Sequence, residues 1–395
     1  MGHVHVFEHS RLNNQENMVL FIPGPVQVSK SVREATKRGD ICHRGKTFQT
    51  LFKRVRHSLL EVLELRDSTQ YESVIITGSG TSANECALSS IAGKKKVLVI
   101  SNGEFGERLY KISSLHNDTE IIKYDWGTSI DPKVVASYLE NNPQSIVAMV
   151  HHETSTGLIN PVEEIGRICK LHSCDYFVDC VSSIPADIID MEKSNISFLS
   201  GSSSKAIGSY PGLSFVVGKK KSFETLRNLP PKTAYLDLYK HYEMAKEKDE
   251  TPNTPAIQLL YSLDAALLEI IEQRKHIRTK NQAIGRLTRS GLSQLGFEFL
   301  IPEKDMSWVL TTVKVPTGID YKAFKEYLMR DGFLVYDGKG PLEDKVFQVG
   351  HIGEITIKDV NSFLETVKMA LTRMTPIVDV IGLHSGESQK MGVVV

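Results

Sequence analysis

Between about positions 70 and 220, short apolar runs alternate with stretches whose apolar residues recur at helical spacing. Residues 73–77, 96–100, 119–124, 145–150 and 175–179 read as buried strands, with helices over 81–92, 104–115 and 161–172 between them. Such alternation predicts an α/β fold with a mainly parallel, doubly wound sheet covered on both faces. Ligands of such sheets bind at the carboxyl ends of the strands. Two further strands, 196–200 and 213–217, flank a serine-rich loop.

After Phe223 the alternation stops, and 229–231 with the charged run 246–250 reads as a polar connection. A largely helical stretch over 254–295 follows. A second, smaller α/β pattern comes next: strand 309–315, helix 321–330, strands 333–336 and 346–349, helix 357–371. The expected organisation is an N-terminal arm (1–20), a large domain (21–270), a small C-terminal domain (271–382) and a frayed polar tail (383–395).

Composition narrows the function. Lys+Arg and Asp+Glu are 47 each among 395 residues, so no global field points to nucleic acid or an anionic membrane. No apolar run approaches the ~20 residues of a membrane helix, and the first 17 residues lack a signal-peptide pattern. The five cysteines form no C-x-x-C pair, which suits a reducing compartment. His3, His5 and His9 read as part of a loosely packed arm, or alternatively as a short metal-binding tract. The expectation is a cytoplasmic enzyme acting on small molecules.

The candidate chemistry centres on G-S-S-S-K-A (201–206), whose Lys205 lies 26 positions after Asp179. A lysine after small hydroxyl residues, downstream of a strand ending in aspartate, is what pyridoxal 5'-phosphate requires. The lysine amine forms a Schiff base with the cofactor aldehyde, and the aspartate keeps the pyridine nitrogen protonated. Burial of Lys205 in this loop would lower its pKa and let it act as a base.

G-S-G-T-S-A (78–83) joins a strand to a helix, and its free N–H groups suit a phosphate. Taken alone it is equally an ordinary tight turn. Phe105 follows another strand, where an aromatic can stack on a ring or simply fill the core. E-T-S-T-G (153–157) places Thr154 where its hydroxyl could meet the ring hydroxyl, or in a plain hydroxyl-rich turn.

From about residue 20 to 371 the chain resembles the class V aminotransferases of fold type I. The motifs run in order: F-I-P-G-P-V (21–26), C-H-R-G-K-T-F (42–48), T-G-S-G-T (77–81) and S-N-G-E-F-G-E-R (101–108). H-H-E-T-S-T-G (151–157), V-D-C-V-S-S (178–183), S-S-S-K (202–205) and P-G-L-S-F-V (211–216) follow. Within the class the run is most similar to the 2-aminoethylphosphonate–pyruvate transaminases.

The resemblance implies that Lys205 carries the cofactor and Asp179 pairs with its ring nitrogen. Ser79, Gly80 and Thr81 would hold the phosphate, and Ser204 would also contact the cofactor. Phe105 would stack, and Thr154 would lie by the ring hydroxyl. It further implies a homodimer with shared sites, Thr254 of one subunit reaching the cofactor phosphate of the other.

One departure concerns the substrate. The family has an arginine in a C-terminal F-R-[IV]-G segment that grips the substrate carboxylate, and here Gln348 stands in F-Q-V-G (347–350). Loss of such a charge-assisted bond costs ~1.5–3 kcal/mol. Arg44 and Lys339 are the candidate substitutes, although Arg44 equally suits a helix-start cation paired with a nearby acid. The expected reaction moves the amino group of 2-aminoethylphosphonate to a pyruvate-like keto acid. The alternatives are another amine and keto-acid pair of the alanine– or serine–glyoxylate type, or a lyase acting on a related phosphonate.

Overall fold

The computed structural model describes residues 18–65, 67–142 and 146–374. The arm with its histidines and the tail from 375 lie outside them. Seven strands form the main sheet, in the order Tyr71–Thr77, Leu213–Lys219, Phe198–Ser202, Asp175–Asp179, Ile146–Val150, Val97–Ser101 and Thr119–Lys123. Only Leu213–Lys219 runs antiparallel to its neighbours.

The alternation of side chains along each strand explains the two cores. Tyr176 and Val178 face one apolar cluster with Val147, Met149 and Leu199. Phe177 faces the other with Ala148, Val150 and Val216. Each fully buried Val, Leu or Ile contributes about 1.5–3 kcal/mol, so a sheet buried on both faces needs apolar residues at nearly every position.

Helix Gly80–Ile91 lies on the second cluster through Ala83, Cys86, Ala87 and Leu88. Helix Leu238–Lys248 covers the same side. Its buried Leu238, His241, Tyr242 and Ala245 recur at helical spacing, so the charged run expected to be a connection is in part the last turn of a helix. Helices Lys30–Ala35, Lys46–Val62 and Pro132–Asn141 were not read from the pattern. The strand expected at 196–200 runs from Phe198 to Ser202, two residues further toward Lys205.

A four-stranded sheet forms the second layer, in the order Val19–Phe21, Phe333–Asp337, Val346–Gly350, Leu310–Lys314. The N-terminal strand joins this sheet, parallel to Phe333–Asp337. Helix Ile257–Gln294 links the two cores. Its first half packs in the main cluster, and Ile284 and Leu292 enter the cluster of the small sheet. Among the described residues no helix is long and apolar enough to cross a membrane.

Candidate active site

Asp179 ends its strand at the carboxyl edge of the sheet and is buried. Its Oδ1 accepts the Val181 N–H at 2.8 Å, and its Oδ2 accepts Asn84 Nδ2 at 2.6 Å. The Asn84 carbonyl accepts Ser200 Oγ at 2.5 Å, from the neighbouring strand. Burial pushes the Asp179 carboxyl up. The hydrogen bonds from Val181 and Asn84 and the charges of Arg108 and Lys205 pull it back. A carboxylate so held is oriented and leaves little freedom for rearrangement.

Lys205 lies in the loop after strand Phe198–Ser202, half-buried, with Nζ 3.5 Å from the Gly24 carbonyl. A Cβ on Gly24 would sit 2.6 Å from Lys205 Cδ, and the residue has φ of +125°, so only glycine leaves the lysine room. Burial lowers the Lys205 amine to about 8. The cations of Lys339 and Arg108 push the same way, and Asp179 opposes them. Ser204 is buried beside Lys205, its Oγ 3.3 Å from Ser202 Oγ.

The glycine turn 78–80 leads from strand Tyr71–Thr77 into helix Gly80–Ile91, whose N-cap Ser79 makes no side-chain cap bond. Ser79 is exposed, Gly80 buried and Thr81 half-buried. A Cβ on Gly80 would meet Val181 at 2.6 Å, so the first turn abuts the residue that orients Asp179. An uncapped helix start concentrates free N–H groups and positive dipole, which suits an anion.

Thr154 is buried, and its hydroxyl donates to Ser182 Oγ at 2.6 Å. Ser182 Oγ lies 3.2 Å from His152 Nδ1, and His152 Nε2 is buried without a hydrogen-bond partner. Burial drives the His152 imidazole down to about 3, helped by the charges of His151 and Lys205. His152 is therefore neutral at physiological pH.

Phe105 is half-buried at the start of helix Glu104–His116. The buried Glu153 carboxylate caps that helix by accepting the N–H groups of Phe105 (3.2 Å) and Gly106 (3.0 Å). Arg108 Cζ lies 4.6 Å from the Phe105 ring centroid, and Lys339 Nζ lies 5.9 Å from it.

The remaining expected residues have other partners. Gln348 is buried in the small sheet, where its Nε2 donates to the Thr154 carbonyl at 2.6 Å and lies 3.2 Å from Thr312 Oγ1. Arg44 is exposed at the start of helix Lys46–Val62. It donates to Glu250 at 2.7 Å and to the carbonyls of Thr251 (2.7 Å) and Pro252 (3.3 Å). Thr254, two residues further on, is exposed.

Sequence reading missed Asn84, Val181, Ser182, His152 and Arg108. A signal existed for two of them. Asn84 is the polar residue on a helix face otherwise made of small apolar side chains, and Arg108 stands one turn after Glu104.

The donor set fits pyridoxal phosphate: a depressed amine for an aldehyde, a carboxylate fixed by two donors for a protonated ring nitrogen, and an uncapped helix start for a phosphate. The family described as aminotransferase class V matches residues 27–343. An uncharacterised aminotransferase of Methanocaldococcus jannaschii is 33% identical over 362 residues, covering 90% of this chain and 93% of that protein. A 2-aminoethylphosphonate–pyruvate transaminase of Bacteroides fragilis is 30% identical over 359 residues, 89% of this chain and 98% of that protein. The solved aspartate aminotransferase of subgroup IV from Thermus thermophilus superposes with a TM-score of 0.82 at 26% identity, covering 90% of this chain and 99% of that one. The chain belongs to the class V aminotransferase family and is a pyridoxal-phosphate-dependent transaminase of fold type I.

Proposed function

We propose that the enzyme transfers the amino group of 2-aminoethylphosphonate to a keto acid, releasing phosphonoacetaldehyde and an amino acid. The observation that carries this reading is Gln348. Its amide is committed to Thr154 and Thr312, so this strand offers no cation to the carboxylate of an α-amino acid. The donor, whose only anionic group lies at its far end, does not need one; the carboxylate of the keto acid does, and must find its cation elsewhere in the site. Several curated relatives of about 30% identity that act on 2-aminoethylphosphonate support the same donor.

When bound, pyridoxal phosphate supplies an electron sink conjugated to the amine-bearing carbon. Lys205 is the amine that holds it and, once freed by the donor, the base that takes the proton from that carbon. With its pKa near 8, roughly a tenth of Lys205 is unprotonated at pH 7, against under a thousandth at its ordinary value. Asp179, fixed by Asn84 and Val181, would hold the proton on the ring nitrogen. Ser79, Gly80 and Thr81 would hold the phosphate, Ser204 would contact the cofactor beside Lys205, Phe105 would stack on the ring, and Thr154 would lie by the ring hydroxyl.

The enzyme works as a homodimer in this reading. Arg44 pins the carbonyls of Thr251 and Pro252 and so positions the exposed Thr254 for the partner's cofactor phosphate. The test is a screen of donors with pyruvate, scored by alanine. Turnover with 2-aminoethylphosphonate at least tenfold above serine or alanine (scored with glyoxylate) supports the reading. Preference for an α-amino acid overturns the donor, and product formed without any keto acid indicates a lyase.

A further inference from the structure

With Gln348 and Arg44 committed elsewhere, the cations that bear on Lys205 are Arg108 and Lys339. Both lie over Phe105, at 4.6 and 5.9 Å from its centroid. Lys339 also lies 5.3 Å from the Tyr336 ring centroid. One carboxylate bridges the pair. Glu104 Oε1 accepts Arg108 Nη2 at 2.6 Å, and its Oε2 stands 3.5 Å from Lys339 Nζ. That Oε2 is buried and has no hydrogen bond. The Arg108 end of the bridge is thus a formed ion pair, while the Lys339 end is long and under-satisfied.

Two cations sharing one carboxylate leave a positive charge in reserve next to the reacting amine. An incoming anion must displace Glu104 from Lys339 to bind there. A dianion gains twice the Coulomb attraction of a monoanion from the same cations, while the displaced carboxylate is the same in both cases.

We propose that Arg108 and Lys339 bind the anionic end of the substrate with a preference for doubly charged groups, and that Glu104 occupies this site in the free enzyme as an internal competitor. The inference rests on the proposed donor only in naming that group a phosphonate. Arg108 and Lys339 become specificity-determining residues, and Glu104 weakens every anion that binds there.

The test uses the cofactor-loaded enzyme, with inorganic phosphate and acetate as dead-end competitors of the amine donor. Phosphate is expected to compete at least tenfold more strongly than acetate. Lys339→Met should weaken phosphate and raise the donor KM by roughly ten- to a hundredfold, as expected for a lost charge-assisted bond. Lys339→Arg should restore most of the loss. Glu104→Gln should tighten both anions severalfold without lowering the phosphate-to-acetate ratio. Calorimetric titration of phosphate should give the same order of affinities without turnover.

A Lys339→Met enzyme that keeps its near-ultraviolet circular dichroism and binds phosphate within twofold of wild type overturns the site. A Glu104→Gln enzyme that binds neither anion more tightly than wild type overturns the competitor role. If 2-aminoethylphosphonate is not a donor but phosphate still competes through Lys339 against the amine that is, the anion site stands and the donor falls. If 2-aminoethylphosphonate reacts and Lys339→Met is normal, the donor stands and the site falls.

Discussion

The central residue, Lys205, owes its chemistry to its surroundings. Burial first, and then the cations Lys339 and Arg108, bring its amine down to about 8. Removing a neighbouring cation relieves the protonated form, so the pKa must rise. Capture of pyridoxal phosphate by the apoprotein should be half-maximal near pH 8, and Lys339→Met should move the midpoint upward. A midpoint unmoved or lowered would contradict the electrostatics. Lys205→Ala should abolish turnover while still retaining some cofactor through its phosphate.

Asn84 is the complementary case, a positioning residue whose work is to satisfy Asp179. Asn84→Leu would leave a buried carboxylate oxygen without its donor, at a cost of about 1–3 kcal/mol. Urea unfolding should show that loss, and a change below 0.5 kcal/mol would remove Asn84 from the account. Lys205 and Asp179 were legible because their spacing and flanking apolar runs are local features. Asn84 and Arg108 carried only faint local signals, and their roles were not legible, because their partners Asp179 and Phe105 depend on how separate elements pack. Gln348 was legible as a departure, but its bonds to Thr154 and Thr312 are tertiary facts.

At the scale of elements, the parallel strands could be read from sequence because strands buried on both faces are continuous apolar runs. Helix Leu238–Lys248 was obscured by its charged exposed face, and Val19–Phe21 is too short to announce its place in the small sheet. The segment after Glu250 carries an element-level prediction. If Thr254 serves the partner's site, a mixed dimer of Lys205→Ala and Thr254→Ala chains assembles one intact site. Cofactor affinity at that site should return to the wild-type value. If Thr254 acts within its own subunit, no site in the mixture recovers both affinity and turnover.

For the whole molecule, the buried histidines tie stability to pH. His151 is lowered to about 4 and His152 to about 3, burial being the main cause for each. Their folded pKa values lie below the ordinary 6.5, so the unfolded chain binds more protons as pH falls below 6.5. The stability they contribute is full above that value and is lost toward pH 4. Asp187, raised to about 6 by burial, works in the opposite sense over part of this range. The specific readout is therefore a difference: His151→Gln should flatten the fall in stability between pH 6.5 and 4, by up to about 1.4 kcal/mol per pH unit. An identical slope would exclude His151 as a proton-linked group.

The large sheet, its carboxyl-edge site and the small sheet together bring a depressed amine, a fixed carboxylate and two cations within electrostatic reach of one another. The most direct test of what they do is to mix cofactor-loaded enzyme with 2-aminoethylphosphonate, without any keto acid, and follow the cofactor absorbance. Conversion to the pyridoxamine form in a single turnover, blocked in Lys205→Ala, is the predicted result. An unchanged spectrum with 2-aminoethylphosphonate, alongside conversion by an α-amino acid, would contradict the assigned donor.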